Sequence, residues 1–348
     1  MQFVSTRGQA PKASFSDVLL AGLAPDGGLY LAESWPQVGN AAAFKGMRYQ
    51  DVAITILSHF TAGSFSDAEL REAVEAAYGD FDAPEIAPLS DLGNGQHLLE
   101  LFHGPTLAFK DIALQVLGQL FSRALDKRGG RATIVAATSG DTGSAAIAAL
   151  GGLPNIDVFV MHPKGRVSDV QRRQMTTSKH ANVHNIAVSG SFDDAQSLVK
   201  QLFADTEFAR KISLTAVNSI NFARIAAQSV YYFTATAQLG APCSFIVPTG
   251  NFGDIFAGEA AFRMGLDVAR LVIATNSNDI MARALNQGVY ESGPSHATLS
   301  PSMDIQVASN FERALFEACD RDADWTAAAT TVGRMLLARL GARPRPFD

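Results

Sequence analysis

The residue with the most distinctive chemistry is Lys110. It stands in HGPTLAFKD, His103 to Asp111, directly after Phe109 and at the head of the amphipathic pattern DIALQVLGQLFSRAL. Apolar neighbours and the positive end of a helix both disfavour an ammonium relative to the free amine. A neutral amine condenses with an aldehyde to give a Schiff base. The other reading, a solvated lysine ahead of a helix, stays open on this segment by itself.

Two glycine-rich turns accompany it. TSGDTGSA, Thr138 to Ala145, follows the apolar run TIVAA and precedes SAAIAAL. Its glycines let a ligand approach the backbone, and Ser139, Thr142 and the amides at the helix start suit a carboxylate. PTGNFGD, Pro248 to Asp254, follows SFIV and precedes IFAGEAAFRM. There the successive amides of Gly250, Asn251, Phe252 and Gly253 can form a nest for a phosphate dianion. Neither turn reads GxxxxGK[ST] or GxGxxG, so a P-loop nucleotidase and a dinucleotide enzyme lack motif support. Taken together, the three segments ask for one ligand bearing an aldehyde and a phosphate, which is the description of pyridoxal 5'-phosphate.

Such groups need rigid elements behind them. From about residue 96, short β-rich runs precede glycine loops and helical patterns, the signature of an α/β fold with a largely parallel sheet. The patterning predicts strands at His97 to Leu101, Thr133 to Ala137, Asp157 to Met161, Asn182 to Val188, Ser244 to Val247 and Arg270 to Ala274. It predicts helices at Ile112 to Lys127, Ser144 to Leu150, Phe192 to Phe203, Ile220 to Leu239 and Ile255 to Met264. Residues 1 to about 95 lack this alternation and read as an accessory lobe with helices at Tyr49 to Phe60 and Asp67 to Tyr78. Ser66 and Glu69 stand at capping-box spacing before the second of these.

Composition narrows the partners. A chain of 348 residues suits two or three lobes, and 47% apolar with 18% charged residues excludes a disordered chain. A formal charge of −6 supplies no basic field for nucleic acid or anionic lipid. Cys243 and Cys319 are far apart in sequence, so neither a disulfide framework nor a cysteine zinc site is expected, and a reducing cytoplasm fits. VLLAGLA follows Asp17 rather than a basic segment, and the apolar stretch around TIVAATSGDTGSAAIAALGGL is broken by Asp141, so neither a signal peptide nor a membrane span is expected. His180 and His184 in KHANVHNIAV read as a loop entering a strand, so no metal is expected, and Arg172 and Arg173 read as a solvated helical face.

HGPTLAFKD, ATSGDTGSAAI, NSINFARI and PTGNFGD, in this order, resemble threonine synthase. VSTRGQAP, GLAPDGGLYLAE and SPSMDIQVASNFER extend the likeness over roughly residues 1 to 320. The resemblance implies a fold type II pyridoxal-phosphate enzyme, the fold of tryptophan synthase β and cysteine synthase. That fold has two α/β lobes around a cofactor cleft, here with an N-terminal accessory lobe and a short C-terminal part. The implied lobes are 1–95 (accessory), 96–130 with 225–348 (larger, cofactor-binding) and 131–224 (smaller α/β).

By the same resemblance Lys110 is the Schiff-base lysine, and Gly250, Asn251, Phe252, Gly253 and Asp254 hold the cofactor phosphate. Ser139, Gly140, Asp141 and Thr142 face the cofactor ring. Ser139 and Thr142 also receive the substrate carboxylate, and Asp141 lies near the ring hydroxyl, where many relatives carry Asn. The implied reaction turns O-phospho-L-homoserine and water into L-threonine and phosphate, with Lys110 moving protons at Cα and Cβ. Lys164, Arg166, Asn218, Ser219, Asn221 and Arg224 are candidates for the substrate phosphate. Arg224 leads because a guanidinium grips phosphate with two hydrogen bonds, against the plainer reading of a solvated helical arginine. The partner is thus a small molecule, and the chain is expected as a monomer or homodimer.

Beyond Asp322 the sequence reads ADWTAAATTVGRMLLARLGARPRPFD, without the Pro-His-Thr-Ala-like and Thr-Ala-His-Pro-like motifs that the family carries there. The contact to the pyridine nitrogen is therefore expected to be lacking or to come from another residue. Three readings stay open: threonine synthase, another pyridoxal-phosphate lyase such as a serine/threonine dehydratase, and a cofactor-binding homologue with impaired activity. A dehydratase would need no second anion pocket for a substrate phosphate.

Overall fold

The computed structural model describes residues 1–215, 219–324 and 326. In chain order the elements begin with β1 (Phe3–Ser5), α1 (Phe15–Ala21), β2 (Tyr30–Ala32), α2 (Tyr49–Thr61), α3 (Asp67–Tyr78), β3 (Leu89–Gly93), β4 (Gln96–Leu99) and α4 (Lys110–Lys127). They continue with β5 (Ala132–Ala137), α5 (Asp141–Leu150), β6 (Ile156–Pro163), α6 (Asp169–Thr176), β7 (Val183–Val188), α7 (Phe192–Ala204), α8 (Thr206–Lys211) and β8 (Leu214–Thr215). The last are α9 (Phe222–Leu239), β9 (Cys243–Pro248), α10 (Gly253–Arg263), β10 (Val268–Ala274), α11 (Ile280–Gln287) and α12 (Phe311–Ala318). Two compact units result: Leu19–Ala21 with Ser64–Asn218, and Met1–Val18 with Gly22–Gly63 and Ser219–Asp348.

The unit that contains Lys110 is built on a four-stranded sheet in the order β7-β6-β5-β8, parallel throughout. Parallel strands in α/β units are buried on both faces, and Ile134, Val135 and Ala136 of β5 are accordingly buried. α4 and α5 pack closely at Gly118, where an added Cβ would stand 2.5 Å from the Ala149 carbonyl oxygen. α3 opens with the expected capping box: the Glu69 N–H donates to Ser66 Oγ at 3.3 Å, and the Ser66 N–H donates to the Glu69 carboxylate at 2.7 Å.

One predicted strand changes partner. His97 to Leu101 does not enter the parallel sheet, because Asn94 (φ 53°) and Gly95 (φ 73°) form a turn that folds β4 back, antiparallel, on β3. Consecutive positive φ at an Asn-Gly pair is the geometry of a tight hairpin turn.

In the other unit, β1 and β2 pair antiparallel, and β9 and β10 pair parallel. The 18-residue α9 is buried along most of its length and lies against α2 and α10. Its first residue, Phe222, seats edge-on against Phe3 at 5.0 Å and Phe60 at 5.4 Å, so β1, α2 and α9 share one aromatic cluster.

Among the described residues, no helix is long and apolar enough to cross a membrane, and no group of His, Cys, Asp and Glu is arranged for a metal. His184 lies in β7 and stacks on Phe159 at 4.4 Å.

Candidate active site

Lys110 is the first residue of α4 and is 9% exposed. The loop before it is folded by its neighbour. The fully buried Asp111 carboxylate accepts from the Thr106 N–H at 2.8 Å and from Thr106 Oγ1 at 2.7 Å. Burial pushes the Asp111 carboxyl above its ordinary value, and the Thr106 bonds work against that rise. Leu107 takes a left-handed φ of 59°, and its N–H closes a turn onto the Gly104 carbonyl at 3.0 Å. A Cβ at Gly104 would stand 2.5 Å from that of Asp111, so this position has room for glycine alone. His103 sits outside this arrangement, hydrogen-bonded to the Glu100 carboxylate at 2.8 Å.

The Lys110 ammonium donates to the Asp141 carboxylate, and both side chains are largely buried. The apolar surroundings expected from the sequence are therefore incomplete. An opposite charge at hydrogen-bond distance favours the ammonium and counters both burial and the helix dipole.

Asp141 opens α5, where a carboxylate is favoured by the helix dipole. The turn around it is wound on Thr138, whose Oγ1 accepts from the Gly140 N–H at 3.0 Å and the Gly143 N–H at 2.9 Å. The Thr142 N–H bonds the Asp141 carboxylate at 2.8 Å. Three amides that the sequence offered to an anion thus serve the turn itself. Ser139 is exposed, Thr142 is partly exposed, and Gly140 has φ 148°. Lys164 and Arg166 are exposed in the turn after β6, and the charge of Arg166 helps hold the Asp194 carboxyl below its ordinary value, chiefly a result of bonds from Ser191.

In the other unit, the PTGNFGD turn joins β9 to α10. Phe252 adopts φ 63° and ψ 7°, an uncommon left-handed conformation for a bulky residue. Its ring is buried, 5.2 Å from Phe311. A Cβ at Gly250 would stand 2.9 Å from Ile305 Cδ1, and one at Gly253 would stand 3.2 Å from Asn310 Nδ2. The Asn251 carbonyl accepts from the Asn310 N–H at 3.0 Å and from Asn310 Nδ2 at 3.1 Å.

Asp254 keeps its place in the turn, while its carboxylate is taken up by α9. The Tyr231 hydroxyl donates to it, the Tyr232 hydroxyl donates at 3.1 Å, and Gln228 Nε2 donates to the Tyr231 hydroxyl at 3.0 Å. Burial pushes the Asp254 carboxyl up to about 6, against the lowering effect of both tyrosines and of Arg224. The same burial and the neighbouring carboxylate raise both phenols well above their ordinary value.

Arg224 is not a solvated helical arginine: it is 4% exposed on α9. Asn221 Oδ1 caps α9, accepting from the Ala223 N–H at 3.0 Å. The Ser219 carbonyl bonds Asn310. Asn218 lies outside the described residues.

Reading the sequence left out Thr106, Asp111, Thr138, Tyr231, Tyr232, Asn310 and Arg313. A signal existed for one pair, since Asp111 adjoins the lysine within the same motif. Asn310 and Arg313 lie in SNFER, whose likeness was visible without its purpose.

Pyridoxal phosphate carries an aldehyde and a phosphate, and groups suited to each are present in the chain. An aldehyde needs a seated amine, which Lys110 supplies. A phosphate dianion suits consecutive backbone amides at the start of an 11-residue helix, and the turn through Phe252 leads into one.

Known proteins bear on these groups. Residues 2–78 match the family model described as threonine synthase N terminus, and residues 88–340 match that of pyridoxal-phosphate dependent enzymes. The chain is 55% identical over 322 residues to a threonine synthase of Pseudomonas aeruginosa, covering 91% of this chain and 69% of that one. A crystal structure of PLP-bound threonine synthase from Brucella melitensis superposes with a TM-score of 0.93 at 53% identity, covering 95% of this chain and 72% of that one. The yeast threonine synthase structure also gives a TM-score of 0.93, at 39% identity, over 100% of this chain and 75% of that one.

Proposed function

Because this chain belongs to the threonine synthase family, a family of pyridoxal-phosphate-dependent enzymes, we propose that it converts O-phospho-L-homoserine and water into L-threonine and phosphate. The observation that carries the reading is the seating of Lys110 at the start of α4, against Asp141, by the Thr106–Asp111 loop. Pyridoxal phosphate is the cofactor, and when bound it supplies an electron sink for charge that develops on the substrate carbons.

The chain's own residues hold the reactants and move protons. The Lys110 amine, released when substrate binds, takes the proton from Cα and serves the transfer at Cβ. Phosphate leaves from Cγ, a proton is delivered to Cγ, water adds at Cβ, and return of a proton to Cα completes the product. Asp141 stands beside the amine and balances its charge whenever it carries a proton. Ser139 and Thr142 hold the substrate carboxylate, with Gly140 letting the backbone come close. Gly250, Asn251, Phe252, Gly253 and Asp254 form the cofactor-phosphate turn, in which Asp254 acts by tying the turn to α9.

Substrate phosphate falls to Lys164, Arg166, Asn218, Ser219, Asn221 and Arg224. The exposed cations Lys164 and Arg166 have side chains available for it, whereas Asn221 spends its oxygen on the α9 cap. The lobes 1–95, 96–130 with 225–348, and 131–224 are part of this reading as a division implied by the family likeness, whereas residues 96–130 fall in one compact unit with the segment that follows them. A cytoplasmic monomer or homodimer is part of this reading too.

The test is phosphate release and threonine formation from O-phospho-L-homoserine by the chain supplied with pyridoxal phosphate. Equal amounts of phosphate and threonine are expected. Cofactor capture without phosphate release would overturn the activity while leaving the family intact.

A further inference from the structure

Asn310 stands immediately before α12, where an asparagine ordinarily caps its own helix, yet its side chain makes no cap bond there. Its Nδ2 donates instead to the carbonyls of Ser219 at 3.0 Å and Asn251 at 3.1 Å, and its Oδ1 accepts from the Arg313 guanidinium. With its N–H also on the Asn251 carbonyl, one residue holds that oxygen twice. In a trans peptide the C=O and N–H point in opposite directions, so anchoring the Asn251 oxygen fixes where the Phe252 N–H points.

The next residues depend on the same grip. Phe252 is left-handed, a strained conformation for a bulky residue that persists only where its surroundings impose it. Phe311, next to Asn310, packs on its ring, and a Cβ added at Gly253 would stand 3.2 Å from Asn310 Nδ2.

Arg313 locks Asn310 in turn. It is fully buried and gives Nε to the Tyr30 carbonyl at 3.0 Å and a terminal nitrogen to the Ile220 carbonyl at 2.6 Å. A buried cation stabilises a fold no better than apolar packing would, so its use here points to fixed geometry.

We propose that Asn310 and Arg313 are positioning residues of the phosphate turn, holding the Asn251–Gly253 backbone ready for the cofactor's phosphate. The proposal rests on the cofactor reading above. It gives SNFER a purpose distinct from touching any ligand.

Pyridoxal, which has the aldehyde without the phosphate, separates this role from a general structural one. Capture of each compound on Lys110 is titrated by borohydride trapping in the parent chain and in Asn310→Asp. That variant keeps the shape and the acceptor for Arg313 but turns the donor facing two carbonyls into an acceptor. The expected result is a loss of about tenfold or more in affinity for pyridoxal phosphate, with pyridoxal changed by about twofold or less. Equal losses for both compounds, or no change in their ratio, overturn the proposal. Should Asn310→Asp not fold, Asn310→Ser removes the same bonds without adding charge and is read by the same ratio. If the parent captures neither compound, the cofactor reading fails. If the parent captures both and the variant keeps the parental ratio, the positioning claim alone fails.

Discussion

Lys110 and Asp141 each open a helix, α4 and α5, and their side chains meet as ammonium donor and carboxylate acceptor across 31 positions of sequence. The positive helix ends favour Asp141 and oppose Lys110, so it is the pairing of opposite charges that makes the buried lysine tolerable. Asp141→Asn keeps the shape and removes the charge, which releases the amine's proton more readily. Borohydride trapping of pyridoxal phosphate followed against pH should then persist to lower pH than in the parent. An unchanged profile would mean that the carboxylate does not govern the amine.

Thr106 is the hinge of the lysine loop, since both its N–H and its hydroxyl end on Asp111. Thr106→Val removes the hydroxyl bond to a buried carboxyl at nearly constant volume. The expected loss is roughly 1.5–3 kcal/mol of folding stability, the range for a hydrogen bond to a charged group. Denaturant titration measures it. A loss well under this range would show that the N–H alone holds the loop.

Asp254 gives a pH dependence whose sign can be worked out. Its carboxyl rises from an ordinary 3.8 to about 6 in the fold, so between these values the folded chain binds a proton that the unfolded chain has released. Stability from this group is fully present below pH 3.8 and is lost as the pH rises through 6. The amount is on the order of 2–3 kcal/mol. Asp254→Asn has no such proton to lose. Its stability relative to the parent should therefore improve between pH 4 and pH 7, as read from denaturant midpoints; a parallel pair of curves would contradict the assignment.

The turn before α5 depends on Gly140, whose φ of 148° suits glycine and whose added Cβ would stand 2.0 Å from Gln171 Oε1. The Gln171 side chain can swing aside, but the backbone conformation remains. Gly140→Ala should cost about 1–3 kcal/mol by thermal or chemical unfolding. A cost near zero would show that the turn adopts another conformation without penalty.

What the sequence made legible follows from how local each signal is. The parallel strands β5, β6 and β7 were marked by β-rich runs that lead into glycine loops, and α2, α3 and α9 by apolar periodicity. α6 and α8 carried almost no such stripe, since Met175 is the one buried residue of α6 and α8 buries none. α5 begins three residues before the predicted Ser144, because Asp141, Thr142 and Gly143 read as loop residues while Asp141 in fact favours the helix start.

The site divides in the same way. Lys110 and the two turns were visible as motifs. The Asp141 partner of Lys110, the tyrosines on Asp254 and the grip of Asn310 on Asn251 join residues 22 to 59 positions apart. No periodicity reports contacts of that kind.

Reduction with borohydride in the presence of pyridoxal phosphate, followed by peptide mapping, tests the central claim most directly. The account predicts one pyridoxyl group per chain, on the peptide containing Lys110, and none in Lys110→Ala. An adduct on another lysine, or one that persists undiminished in Lys110→Ala, would contradict it.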